Sequence, residues 1–339
     1  MALLEREMAI TSNVLWDIEQ VITTADFTEL NLLAPTLDPR ITFSRTTTKS
    51  YIASDGTRQI AAANVWPREF DPVTLAPLGR SVWEARTNLF LNSDAPVTQS
   101  VTVDAFKHTL SFEGTGTITL SGAATGSLVG GGAGPAGRRS LTVTTTAGSL
   151  TATVSGSVQA VQIEKGHNAS PYIATGGTAV VRDSDSATIE ALASIGYSTS
   201  GGTWYAEGVG PNFTGVNISN GSARYPRVIA HQNASTPISF DASSGFLNWF
   251  DLGSGGLLTA NATTEGAVYK AASAYDGASR YTVLNGGAVA SAAGVPAAPS
   301  NIRIGAENGT KNFLNTHLRR IRYFPTRLSN TLMQQITTL

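Results

Sequence analysis

Cysteine is absent from the 339 residues, so the chain holds no disulfide framework, no thiolate metal site and no cysteine nucleophile. Charge is scarce too. Asp, Glu, Lys and Arg make up 14% of the chain, against roughly 25% in an ordinary globular protein. What charge there is cancels, 23 basic against 24 acidic residues for a net of −1. So flat a balance argues against nucleic-acid binding by charge and against a polybasic membrane patch. The 4 histidines (His108, His167, His231, His317) are scattered, which speaks against a His-based metal cluster. Neither a metal nor a cofactor is expected. No run approaches the roughly 18 apolar residues of a membrane helix, so no membrane insertion is expected. Glu5, Arg6, Glu7, Asp17 and Glu19 interrupt the start of the chain, unlike a cleaved signal peptide.

What remains is apolar enough to fold. Hydrophobic residues are 41% of the chain, sufficient for more than one core. The 34 glycines imply many turns. Four stretches differ in character. Residues 1–40 form an opening attachment segment. Within it, Val14, Leu15, Ile18, Val21 and Ile22 give Ser12 to Leu33 a helix-compatible spacing before Pro35 and Pro39 break it. Residues 41–95 are turn-rich, with short strands expected at Ile41 to Arg45 and Ser81 to Glu84. Residues 96–167 change abruptly: between Glu113 and Glu164 the only charges are Arg138 and Arg139. Thr117 to Leu120, Ser140 to Thr145, Leu150 to Val154 and Val158 to Ile163 alternate with period two, the pattern of a small antiparallel sandwich.

Residues 168–339 are β-patterned and richer in aromatics. Strands are expected at Gly202 to Gly208, Arg227 to His231, Ile238 to Phe240, Leu247 to Leu252, Gly266 to Ala271, Ser279 to Leu284, Asn301 to Gly305 and Leu314 to Tyr323. Asn-Gly and Asp-Gly turns such as Asp276-Gly277 and Asn285-Gly286 fit a second, larger sandwich. Ser329 caps a short closing helix, Asn330 to Thr338. The fold class is therefore all-β: two antiparallel β-sandwiches after a helical or extended opening segment.

Motifs of chemistry are few. Gly132-Ala133-Gly134-Pro135-Ala136-Gly137 matches the dinucleotide-binding G-x-G-x-x-G. That chemistry needs a helix directly after the glycines and an acid about 20 residues on. Here an alternating, β-branched stretch follows and no carboxylate lies near Thr151 to Ser157, so the run reads as a loop between strands. No H-E-x-x-H and no G-x-S-x-G occurs. Asp183, Asp185 and Glu190 are not spaced as a glycosidase pair or a calcium loop, and read as a solvated linker. No catalytic residue is therefore assigned. Two aromatic pairs remain, Trp204-Tyr205 and Trp249-Phe250. Each lies in an expected strand, which turns one member inward and one outward. An outward ring can stack on the C–H face of a sugar; alternatively both members fill the core or lie under the helix.

The stretch from Ile41 to Asn92 carries a resemblance. It holds Phe43-Ser44-Arg45, Tyr51, Asp55-Gly56, Ala63-Asn64, Pro67-Arg68, Asp71-Pro72-Val73-Thr74, Gly79, Glu84 and Arg86-Thr87-Asn88-Leu89. This resembles a module of phage tail, fibre and head-decoration proteins that precedes β-sandwich domains. Glu164-Lys165-Gly166 with Ser170-Pro171-Tyr172-Ile173 is similar to the exit from their carbohydrate-binding-like, jelly-roll-like sandwich. Asn301 to Gly305 with His317 to Ser329 is similar to the end of their concanavalin A/laminin-G-like domain. Trp83 departs from the pattern, standing where an aliphatic residue is more usual. The resemblance implies a fibre or spike of a tailed phage or gene transfer agent. Such a protein is assembled in the bacterial cytoplasm, released by lysis and located on the virion. It would be joined to other virion proteins through residues 1–40 and would form a homo-oligomer, with a trimer as one option. It would bind host surface polysaccharide without catalysis, through Trp204, Tyr205, Trp249 and Phe250. Arg45, Arg68, Glu84 and Arg86 would be buried in pairs that brace the module. A polysaccharide depolymerase and a purely architectural virion component are the other classes.

Overall fold

The computed structural model describes residues 27–211, 225–232, 236–240, 246–251, 255–294, 298–307 and 311–338; side chains are described for these apart from 236, 246–251 and 255–261. Strands dominate, and one α-helix, Asn330–Thr338, is present among the described residues. The protein is all-β, built from two antiparallel sandwiches.

The small sandwich is continuous in sequence. One sheet holds Gly126–Val129, Thr117–Gly122, Gly148–Ser155 and Gln99–Val103; the facing sheet holds Arg139–Thr144, Lys107–Gly114 and Val158–Lys165. Period-two alternation does what the sequence implies. In Thr117–Gly122, Ile118 and Leu120 point inward at 0% and 2% exposure, while Thr119 and Ser121 face water. Phe112, Leu110, Leu150, Val161 and Ile163 complete the core, and Phe90, supplied from before the first strand, is sealed among them.

The large sandwich is discontinuous. Its longer sheet orders Ala290–Ala293, Ser279–Leu284, Val268–Tyr275, Gly202–Val209, Thr316–Phe324, Pro77–Val82 and Glu69–Phe70. The facing sheet orders Thr42–Ser44, Ser186–Ile189, Ile302–Ile304, Arg227–His231, Thr236–Phe240, Phe246–Asp251 and Gly255–Ala262. Strands from the first 95 residues thus complete sheets otherwise made of residues 186–324. The small sandwich is inserted between them. The chain leaves through Arg86–Asn88 and returns through Val180–Arg182, which pair antiparallel as a neck.

The helical spacing expected over Ser12 to Leu33 gives way at its far end. Thr28–Asn31 is a strand, paired with Thr316–Phe324 so that Leu30 lies opposite Ile321. Leu30 and Leu32 stand two apart and both are buried, at 1% and 0% exposure, a strand's period rather than a helix's. The rest of that segment, residues 12–26, lies outside the described residues. The closing helix is where the sequence puts it: the Leu332 N–H donates to Ser329 Oγ at 3.2 Å, and Met333 and Ile336 are buried against the sheet.

The dinucleotide look-alike is a loop. Pro135–Gly137 makes a single 3-10 turn, and the strand Arg139–Thr144 follows. Its last glycine is required for space: a Cβ on Gly137 would sit 2.0 Å from the Gly132 carbonyl oxygen. Without a helix N-terminus there, the pyrophosphate reading has no physical basis.

Candidate functional site

Trp204 and Tyr205 occupy adjacent positions of the central strand Gly202–Val209, and the alternation holds: they face opposite sides. Neither side is open. Trp204 is 0% exposed between the two sheets, 4.6 Å from the Tyr323 ring. Tyr205 turns to the outer face, but the closing helix lies there and leaves it 3% exposed beside Met333, Leu328 and Phe324. An apolar outer face on a central strand demands a cover, and the helix provides it. The expectation that one of these rings stacks on a sugar is corrected accordingly. Trp249 and Phe250 lie in the strand Phe246–Asp251, and their side chains are outside the described part of the structure.

The charged residues of the module have a definite place. Arg45, Glu84 and Arg86 are buried at 1%, 6% and 2% exposure. Arg45 pairs at 3.0 Å with Asp185, whose other carboxylate oxygen accepts the Trp83 N–H and lies 3.7 Å from Lys49. Lys49 passes the network to Glu69 at 2.9 Å, and Glu69 meets His317 at 3.3 Å. Burial would raise the Glu69 carboxyl, but Lys49 and His317 beside it hold it far below the ordinary 4.5. Asp185 was expected in a solvated linker. It is fully buried instead, because Arg45 and Lys49 need its charge. Arg68 also departs from expectation: it is half-buried, donates to the Leu33 carbonyl at 2.9 Å and lies over the Phe70 ring.

A second cluster sits at the neck. Arg86 donates to Glu84 at 2.9 Å, to the Lys165 carbonyl at 2.8 Å and to Asn168 Oδ1 at 3.1 Å, with Glu164 at 3.7 Å. Glu84 and Asn315 bond reciprocally, at 2.9 and 2.8 Å. Asn88, fully buried, uses its whole amide: it donates to the Val161 and Ile173 carbonyls and accepts from the Phe90 and Ile163 N–H groups. The module is therefore a clamp whose partners come from both sandwiches.

Beside the clamp, the two sandwiches leave a cleft. It comprises two adjoining cavities of ≈ 300 and ≈ 460 Å³ that share Trp83, Ala169 and His317. The smaller is walled by Ile52, Arg58, Pro135, Arg138 and Tyr172, and the larger by Thr142, His167, Val209 and Glu265 among others. Trp83 is 8% exposed, and its enclosed indole N–H makes no hydrogen bond among the described residues. Tyr172 donates to Asp94 at 2.6 Å, and burial together with that acid pushes its phenol up. Arg58 and Arg138 lie over the Tyr172 ring at 4.6 and 5.6 Å. The lining is mixed aromatic and polar, with fixed donors, which is the composition of a small-molecule site. The sequence pointed to strand aromatics. It did mark Trp83, as a departure from an aliphatic pattern, and Tyr172, within the segment leaving the small sandwich.

No family model and no curated protein matches the chain. Some solved structures align with parts of it. Trypanosoma rangeli sialidase in complex with the inhibitor DANA aligns at 10% identity and a TM-score of 0.33, over 45% of this chain and 26% of the sialidase. Ruminococcus gnavus IT-sialidase CBM40 bound to α2,3-sialyllactose aligns at 10% identity and 0.29, over 43% of this chain and 86% of that one. A heptameric SAP-like pentraxin from Limulus polyphemus aligns at 10% identity and 0.28, over 75% and 82%. The chain thus spans about a quarter of the sialidases it is similar to. Likenesses this slight fix no site and no activity.

Proposed function

We propose that the chain is a virion structural protein, a fibre or spike of a tailed phage or gene transfer agent. In this reading it binds host surface polysaccharide in the cleft between its sandwiches. One observation carries the binding part of it: both sandwiches wall a cleft lined by Trp83, and the ion pairs Arg58–Glu113 and Arg86–Glu164 reach across to the small sandwich. A fixed, partly aromatic groove suits a sugar, which offers apolar C–H faces for stacking and hydroxyls for the polar rim. Binding is adhesion without turnover. Glu69, one of the two carboxylates among the described residues lining the cleft, is held ionised by Lys49 and His317, the opposite of what a glycosidic proton donor requires. Each contact is weak, and copies displayed on one particle multiply it, which favours a homo-oligomer.

The test uses the full chain, because residues 168–339 alone would lack the strands Thr42–Ser44 and Pro77–Val82 of the large sandwich. Purified protein is expected to bind host surface polysaccharide on a glycan array and to compete with particle adsorption. Trp83→Ala is expected to abolish both. New reducing ends on incubation with the polysaccharide would identify a depolymerase. Binding to no glycan, host extract included, would leave an architectural component.

A further inference from the structure

The smaller cavity of the cleft is more specialised than a general sugar groove. Arg58 and Arg138 approach one ring, Tyr172, with their guanidinium carbons 4.6 and 5.6 Å from its centroid. The two cations repel each other, and such repulsion is strongest where water is scarce. Burial, with Arg138 beside it, lowers Arg58 to about 10, and burial lowers Arg138 as well.

Carboxylates stand near both guanidinium groups, but one of the two has none in direct contact. Glu113 pairs with Arg58. Asp94 accepts the Tyr172 hydroxyl. Glu164 is near enough to act on Arg138, but its oxygens accept from the Ser170 N–H and hydroxyl and from Gln162. Among the described residues Arg138 makes no ion pair, and its side-chain hydrogen bond goes to the neutral Ser111 hydroxyl at 2.7 Å. One guanidinium therefore lines the cavity with no carboxylate in direct contact.

Much of the remaining wall is apolar, with Ile52, Phe70, Leu78 and Pro135, while Glu69, paired with Lys49, and His317 line it as well. At ≈ 300 Å³ the space is at the small end for ligand pockets. It has room for one pyranose rather than a chain.

We propose that this cavity is a subsite for an acidic sugar, a pyranose bearing a carboxylate that Arg138 engages bidentately beside Arg58, with its ring against the apolar wall. A planar guanidinium matches a carboxylate fork, and a hydroxymethyl group in the same place would leave Arg138 without a direct anionic partner. The assignment rests on the glycan-binding reading and adds to it the chemical class of the sugar.

The experiment is calorimetric titration of the full chain with cellobiuronic acid and with cellobiose, which differ by that carboxylate. The acid is expected to bind at least tenfold more tightly, with a preference that shrinks as salt rises. Arg138→Gln keeps the cavity and Tyr172 and is expected to bring the acid down to the neutral disaccharide's affinity. Circular dichroism confirms that the variant is folded, and the salt dependence of the unmodified protein tests the same point without a variant. Equal affinity for acid and neutral sugar, in a chain that still binds host polysaccharide, overturns the acidic subsite alone. Binding to neither disaccharide nor to host polysaccharide overturns the subsite and the glycan reading together.

Discussion

Gly166 shows how closely the clamp is fitted. Its φ is +145°, and a Cβ there would fall 1.6 Å from an Arg86 Nη atom. Any side chain must displace a guanidinium that is bonded to the Lys165 carbonyl, Asn168 and Glu84. Gly166→Ala is expected to cost about 3 kcal/mol in denaturant unfolding, from strain and overpacking combined. An unchanged midpoint would mean that the arginine can move aside freely. His231 offers a different kind of residue-scale prediction. Burial between Trp204 and Tyr197 pushes its imidazole down from 6.5 to about 3. The unfolded chain takes up a proton near the ordinary value, and the folded chain does not until about 3. The associated stability is therefore present above 6.5 and is lost as pH falls toward 3, by about 1.4 kcal/mol per unit. His231→Gln is expected to reduce the slope of stability against pH between 6.5 and 5, the remainder coming from His108, whose imidazole burial also lowers. Glu69 adds its own loss only below its ordinary 4.5, so the two windows separate.

Among elements, strands with clean alternation were legible. Thr117–Gly122 and Arg139–Thr144 fall where period two places them, and the helix Asn330–Thr338 where its serine cap does. Several of the strands that escaped notice are short or polar, such as Lys49–Ile52 and Ser186–Ile189. Their buried positions hold Lys49 and Ser50, or lie next to Asp185, and a charge reads as surface until its partner is known. The site was less legible than the fold for the same reason. Aromatics in strands suggested exposure, whereas a central strand is covered on both faces. The helix that covers Tyr205 is testable. Met333 is 0% exposed, and Met333→Ala is expected to destabilise the protein by about 2–5 kcal/mol, while the exposed Thr331→Ala changes little. Equal effects from the two variants would show that the helix is not packed as described.

At the scale of the molecule, the one thing the linear sequence hid is that the large sandwich is interrupted by the small one. The neck Arg86–Asn88 with Val180–Arg182 is the covalent joint, and Arg86 is its centre, binding residues from before, within and after the insertion. Because the guanidinium neutralises Glu84 and lies 3.7 Å from Glu164, removing it leaves carboxylates buried without their cation. That situation costs about 3–5 kcal/mol. The loss falls at the joint rather than in the middle of either core, since Arg86 is a member of neither the cluster around Ile118 nor that around Ile304. Arg86→Leu is accordingly expected to do more than lower stability. The unmodified protein should melt in one calorimetric transition, and the variant in two, as the sandwiches cease to share a clamp. Binding should fail alongside, because the cleft exists only while its walls keep their spacing. A variant that melts in one lower transition would mean the sandwiches cohere without Arg86. A variant that splits into two transitions yet binds polysaccharide unchanged would place the binding surface within one sandwich and away from the cleft.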